Sequence, residues 1–192
     1  MRHGRTEWNA ARRFQGQSDI PLSAEGRAQA AATAAALASE PIETIVTSDL
    51  SRALETARAI AAHHGGRVLL EPRLREFAFG AWEGLTWDEI VARYPVAEDM
   101  AFSSVRAYAP TGGERFETVR ARVGEVLDTY REHAGRVAFV THAGALHALL
   151  DILVSGDVDL GTVRLTPASI TRIAMDSGVP RLMGLDDVRH LD

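Results

Sequence analysis

Neither cysteine nor lysine occurs anywhere in the 192 residues. The first absence excludes disulfides, thiolate nucleophiles and cysteine-ligated zinc or iron–sulfur centres. The second excludes a lysine Schiff base and the lysine of a P-loop, so all 21 basic residues are arginines. Covalent chemistry therefore falls to Ser, Thr, Asp, Glu, Tyr or His. Excess positive charge is also missing: 26 acidic residues leave a net charge of −5. No basic surface points to nucleic acid or to an anionic membrane as partner. No apolar run approaches bilayer-spanning length and no apolar signal-peptide core opens the chain, so a cytoplasmic protein is expected.

What is present reads as one domain over residues 1–192, long enough to bury a core, with 46% hydrophobic residues. Three β-branched, apolar runs predict buried strands at 42–48, 67–72 and 136–142. Helical patterns lie between and beyond them. Residues 23–38 start on a Ser23 cap, and 51–64 stop before Gly65 and Gly66. Shorter or more amphipathic stretches cover 86–94, 114–133 and 143–154. "ASITRIAM" and "PRLMGL", joined across "DSGV", predict a closing hairpin. Alternating strands and helices imply an α/β fold with a mostly parallel sheet and an antiparallel edge. Residues 95–113 are the least periodic stretch and suggest a lid over a site.

In open α/β sheets, ligands bind beyond the carboxyl ends of the strands. Strand 42–48 leads into "SDLSRALETA", with Arg52 in the first turn of the next helix, and strand 136–142 ends on His142. If "RHG" also closes a strand, Arg2, His3, Arg52 and His142 share one edge with two helix N-termini. Such a cluster is an anion site, and arginine forks suit phosphate. Each residue alone has a plainer reading as an ion-paired arginine or a structural histidine, and the spacing by itself leaves the two readings balanced.

The opening "RHGRTEWN" resembles the signature of the histidine phosphatase superfamily, the clan of cofactor-dependent phosphoglycerate mutases. "TSDLSRALETA", "REFAFGAWEGLTWDEI", "TGGE" and "THAG" are similar to its further elements, in the same order. The "FGAWEGLTWDEIVARYP" stretch resembles the phosphatase branch, with its α-ribazole phosphatase-like and broad-specificity members. The resemblance implies a three-layer α/β/α sandwich and a metal-independent phosphomonoester hydrolase without a cofactor. It implies His3 as the nucleophile that forms a phosphohistidine, its second ring N–H held by a backbone carbonyl. Arg2, Arg52 and His142 would neutralise the transferring oxygens, and Glu76 would serve as acid and then as base. Asn9, Gln15, Gly16 and Ala143 fall at substrate-binding positions, Ala143 where many relatives carry Gly.

Several residues keep the plainer reading. Glu83 braces a turn, His63 and His64 end an exposed helix, and His147 faces the core. Arg12 and Arg13 form a solvated face, with a second acidic group of the substrate as the other option. Only 37 residues separate Glu76 from Glu114, with Arg93 and Arg106 the only cations among them. So thin a lid favours hydrolysis over a mutase. A metal hydrolase built on His3, His142 and Glu76 would set a dication beside two arginines, and a catalytically silent phosphate-binding module has no need of the whole set. The resemblance also implies a strand ahead of "RHG", expected upstream of Met1, whose absence would leave a gap between strands 42–48 and 136–142. The expected partner is a small phosphomonoester; its identity and the oligomeric state, a homodimer included, are not legible.

Overall fold

The computed structural model describes residues 1–94, 110–133, 135–154 and 162–192. The lid expected at 95–113 lies outside the described residues except for 110–113. The chain opens on a short helix α1 (Glu7–Ala10), which Thr6 caps in a reciprocal box with Asn9. Helix α2 (Ala24–Leu37) starts where the Ser23 hydroxyl accepts from the Gly26 N–H. Strand β1 (Ile42–Thr47) then feeds α3 (Ser51–His64), which stops at Gly65 with φ 59°. Next come β2 (Val68–Leu70), α4 (Trp87–Arg93), α5 (Phe116–Tyr130), β3 (Arg136–Val140) and α6 (Ala143–Val154). β4 (Ile170–Asp176) and β5 (Val179–Asp187) close the fold as an antiparallel pair across Ser177 and Gly178.

The parallel sheet runs β2-β1-β3. β1 sits in its centre, and Ile45 and Val46, on opposite faces, are both fully buried, as a strand covered on both sides requires. Ile45 packs with Ala34 and Leu37 of α2 and with Ala53, Ala57 and Ile60 of α3. Val46 meets Val126 of α5, and α5 packs in turn on α6 through Val119, Val123, Ala145 and Leu149. Helices thus cover both faces, giving the α/β sandwich with its antiparallel edge.

One expectation is corrected. Strands β1 and β3 pair directly, from Ile42 against Arg136 to Thr47 against Val140, with no gap between them. Residues 1–3 lie on the other side of β3. The Thr141 N–H donates to Met1 O at 3.0 Å and the His3 N–H to Thr141 O at 2.9 Å. Across the opposite side, the Arg2 N–H reaches Ser169 O at 3.3 Å and the Ala168 N–H reaches His3 O at 2.9 Å. The first three residues therefore bridge the parallel sheet to the β4–β5 edge. Neighbour order depends on long-range contacts, which periodicity does not encode. Strand 136–142 is also shorter than expected, ending at Val140 and placing His142 just past the sheet edge.

A separate aromatic cluster holds the chain around 79–94. Phe14, Trp82 and Ile90 are buried, with Phe79, Trp87 and Tyr94 packed around them. Trp82 and Trp87 meet edge to face at 6.2 Å. Trp8 lies over Gly84, so close that a Cβ there would come within 3.2 Å of its ring. Among the described residues, no helix is long and apolar enough to cross a membrane.

Candidate active site

His3 sits at the carboxyl edge of the sheet, 2% exposed. Its Nδ1 lies 2.6 Å from Gly4 O. A carbonyl only accepts, so Nδ1 carries the proton and Nε2 keeps its lone pair. Burial, then the nearby Arg52 and Arg2 charges, hold the ring's pKa well below 6.5, so it is neutral. Gly4 lets this turn approach α2: a Cβ at that position would fall 2.4 Å from Gly26 O.

His142 is the complement of His3. Its Nδ1 lies 3.2 Å from Arg52 Nε, and a guanidinium only donates, so Nδ1 is bare and Nε2 bears the proton. That Nε2 is buried without a partner among the described residues. Burial first and Arg52 second depress this ring's pKa far below 6.5 as well. The two rings meet edge to face, their centroids 5.0 Å apart. One ring offers a lone pair and the other a proton.

This assignment predicts a spectrum. In 15N–1H imidazole spectra at pH 6, His3 should show the Nδ1–H tautomer and His142 the Nε2–H tautomer, with neither ring protonated. Because both folded pKa values lie below 6.5, the unfolded chain binds these protons more readily. The stability tied to the two rings is therefore complete above about pH 6.5 and declines as pH falls, by about 1.4 kcal/mol per pH unit per ring. A protonated ring at pH 6 would overturn the assignment.

Two arginines frame the pair. Arg52, fully buried in the first turn of α3, spends NH1 on Ser18 O at 2.8 Å and NH2 on Gly16 O at 2.7 Å. Burial pushes its pKa down to about 10, which leaves it cationic at neutral pH. Arg2 donates to Leu165 O at 2.5 Å, while its Nε is buried and unpartnered among the described residues. Glu76, 9% exposed, accepts at Oε1 from the Phe77 N–H at 2.8 Å and the Gly144 N–H at 2.9 Å. Gly144, in the first turn of α6, is required here because a Cβ would stand 2.4 Å from that oxygen. The sequence reading marked Ala143 and passed over Gly144, which makes the contact.

The remaining candidates lie around this centre. Asn9 Oδ1 accepts from the Thr6 N–H and hydroxyl, both at 3.1 Å. Gln15, 8% exposed, has its Oε1 3.0 Å from the same hydroxyl. Gly16, at φ 55°, offers its carbonyl to Arg52. Arg2 and Asn9 share a cleft of about 270 Å³ with Arg5, Gln29, Thr166 and Pro167. Glu83 is a brace, as expected: it accepts from the Gln17, Ser18 and Phe79 N–H groups and the Ser18 hydroxyl. Arg13 is occupied by Gly84 O at 2.6 Å and Glu89 at 2.7 Å. His63 is exposed, whereas His64 and His147 are half-buried. Among the described residues, no group of three His, Asp or Glu is placed to hold a metal ion.

The sequence reading gave no role to Glu114 or Arg122. Arg122 falls on the same stripe of α5 as Val119, Val123 and Val126, and a charge on a buried stripe was the available signal.

Comparison with known proteins bears on the family and the fold. A sequence profile of the histidine phosphatase superfamily (branch 1) matches residues 1–188. The glucosyl-3-phosphoglycerate phosphatase of Mycolicibacterium vanbaalenii is 39% identical over 168 residues, covering 83% of this chain and 74% of that protein. The solved mycobacterial glucosyl-3-phosphoglycerate phosphatase in complex with VO3 superposes with a TM-score of 0.87 at 34% identity, covering 97% of this chain and 96% of the other. A putative α-ribazole-5'-P phosphatase from Escherichia coli superposes with a TM-score of 0.85 at 26% identity, covering 97% and 94%. From its first residues to the end of β5, this chain belongs to the histidine phosphatase superfamily, branch 1.

Proposed function

We propose that the chain hydrolyses small phosphomonoesters through a phosphohistidine on His3. The observation that carries this reading is the pair of neutral imidazoles in opposite tautomers, set between the fully buried Arg52 and the half-buried Arg2. His3 Nε2 attacks phosphorus, forming the N–P bond as the P–O bond to the leaving group breaks. The proton for the departing oxygen comes from Glu76 Oε2, since Oε1 is committed to two backbone amides. His142 Nε2–H, Arg2 and the buried charge of Arg52 meet the equatorial oxygens as negative charge spreads over them. Water then attacks phosphorus and gives its proton to the Glu76 carboxylate. The N–P bond breaks, and inorganic phosphate leaves with His3 neutral and Glu76 reprotonated.

No step uses a metal ion or an organic cofactor. Asn9, which borders the cleft beside Arg2, is assigned to hydrogen-bond phosphate, Gln15 and Gly16 to the pocket mouth, and Ala143 to the space near the phosphate. The relatives' substrates make glucosyl-3-phosphoglycerate the first compound to assay.

The test is an alkaline quench during turnover of a 32P-labelled phosphomonoester in excess EDTA. Label should remain on the protein, survive alkali, be released by acid and map to His3. Label on a carboxylate, or turnover that chelation abolishes, would sink the reading.

A further inference from the structure

Arg122 lies behind Glu76, bonded to its carbonyl, where a third cation beside Arg2 and Arg52 would ordinarily be assigned to phosphate. Its hydrogen bonds exclude that role. A guanidinium has five N–H donors, and here every one is engaged. Nε donates to Glu114 Oε1 at 3.0 Å, and NH1 donates to Arg73 O at 2.6 Å and Arg75 O at 2.7 Å. NH2 donates to Glu76 O at 2.9 Å and Glu114 Oε2 at 3.0 Å. The side chain is 15% exposed and its carboxylate partner 18%. No donor is left for a ligand.

What Arg122 holds is the backbone on either side of Glu76. Three of its acceptors are carbonyls of residues 73, 75 and 76. Glu114 extends the grip, accepting from the Ala78 N–H at 2.9 Å while its own N–H donates to Ala78 O at 2.9 Å. Leu74, fully buried, anchors the start of the segment, and the Thr141 hydroxyl donates to its carbonyl at 2.7 Å. The Arg75 side chain is drawn away to Asp49, at 2.7 Å from Nε to Oδ1. Glu76 is therefore aimed inward from a backbone pinned before and after it.

We infer that Arg122, clamped to Glu114, is a positioning residue that sets the Glu76 carboxyl for proton transfer to the leaving oxygen, without itself touching phosphate. This rests on Glu76 being the acid, as proposed above. Lysine cannot replace it: three donors from one point cannot span three carbonyls and a bidentate carboxylate. A displacement of about 1 Å at the acid is enough to cost about 10²-fold.

The experiment compares two substrates, because a positioning role has a signature that loss of fold does not. p-Nitrophenolate leaves without a proton, whereas the alkoxide of glycerol phosphate needs one. The readout is the ratio of kcat/KM for the alkyl ester to kcat/KM for the aryl ester, which reports the steps up to leaving-group release. Glu76→Gln should lower that ratio by about 10²-fold. Arg122→Lys should lower it by about tenfold or more. Glu114→Gln preserves volume and should lower it in the same direction, which keeps the test decisive if Arg122→Lys folds poorly. A ratio unchanged in both variants, with both substrates slowed equally, overturns the inference and leaves Arg122 as a structural brace. A ratio unchanged in Glu76→Gln overturns the assignment of the acid instead, and the inference falls with it.

Discussion

His3→Ala should lower kcat/KM by about 10⁴-fold or more toward any phosphomonoester, with no labelled enzyme recovered after an alkaline quench. The ring is the only side chain in the proposed mechanism that bonds to phosphorus, and no neighbour can substitute for it. The nearest imidazole, His142, presents its protonated nitrogen to the site because Arg52 occupies the side of its lone pair. Turning that ring over would set a C–H against Arg52 and leave the buried Nε–H donor without its acceptor. The substitution removes a buried ring that is itself neutral, so no charge is stranded. The loss of Nδ1–H leaves Gly4 O without its side-chain donor, at a cost of about 1–3 kcal/mol if water cannot enter. The variant should remain folded and should lose less stability between pH 6.5 and 5 than the parent, because one ring with a depressed pKa is gone. Steady-state kinetics with an aryl phosphate, beside urea unfolding at two pH values, measures both. Turnover within tenfold of the parent would remove His3 from the nucleophile's role.

Arg52→Met should be nearly as damaging to catalysis and worse for the fold. The substitution keeps length and apolar packing but removes the donors to Gly16 O, Ser18 O and His142 Nδ1. Each buried acceptor left unpaired costs about 1–3 kcal/mol, so a stability loss of several kcal/mol is expected. Removing an arginine that meets developing phosphoryl charge costs about 10³-fold or more in kcat. A third effect separates this residue from a simple brace. Arg52 is the leading charge holding down the pKa of both His3 and His142. In the variant both rings should titrate closer to 6.5, though burial still keeps them below it. His142 loses the contact that sets its tautomer, so its Nδ1–H form should appear in the imidazole spectrum. Activity within tenfold of the parent, or unchanged titration of both rings, would count against the arrangement.

The parts of this molecule legible in the sequence share a physical cause, and so do those that were not. Strand β1 is legible because "IETIVTS" is rich in β-branched residues, and its adjacent Ile45 and Val46 give an apolar side chain to each covered face. Ser23 and Gly65 mark the ends of α2 and α3 because capping is a local affair of one side chain or one positive φ. His3, Glu76, Arg2, Arg52 and His142 were named through ordered motifs, whose spacing survives where tertiary contacts are invisible. The direct pairing of β1 with β3 was not legible, since neighbour order is decided between residues about ninety positions apart. Helix α1, four residues long, is too short to show a period. Gly144 was hidden because its contribution is a backbone N–H and an empty Cβ position, which no side-chain chemistry announces. Arg122 was hidden for the opposite reason. Its charge was visible, but three of its five acceptors are backbone carbonyls of residues 73, 75 and 76, more than forty positions back along the chain, and the other two belong to Glu114.

The aromatic cluster beside the site bears on how this protein can be watched. All three tryptophans of the chain, at positions 8, 82 and 87, fall in or against that one patch. Intrinsic emission is thus a local gauge, sensitive to the turn at 83–86 and the segment that Glu83 ties to Ser18. The β4–β5 edge and the packing of α2 on α3 carry no such chromophore and stay dark to it. Emission and far-ultraviolet dichroism followed together therefore distinguish loosening of the catalytic end from melting of the whole domain, without a single engineered label.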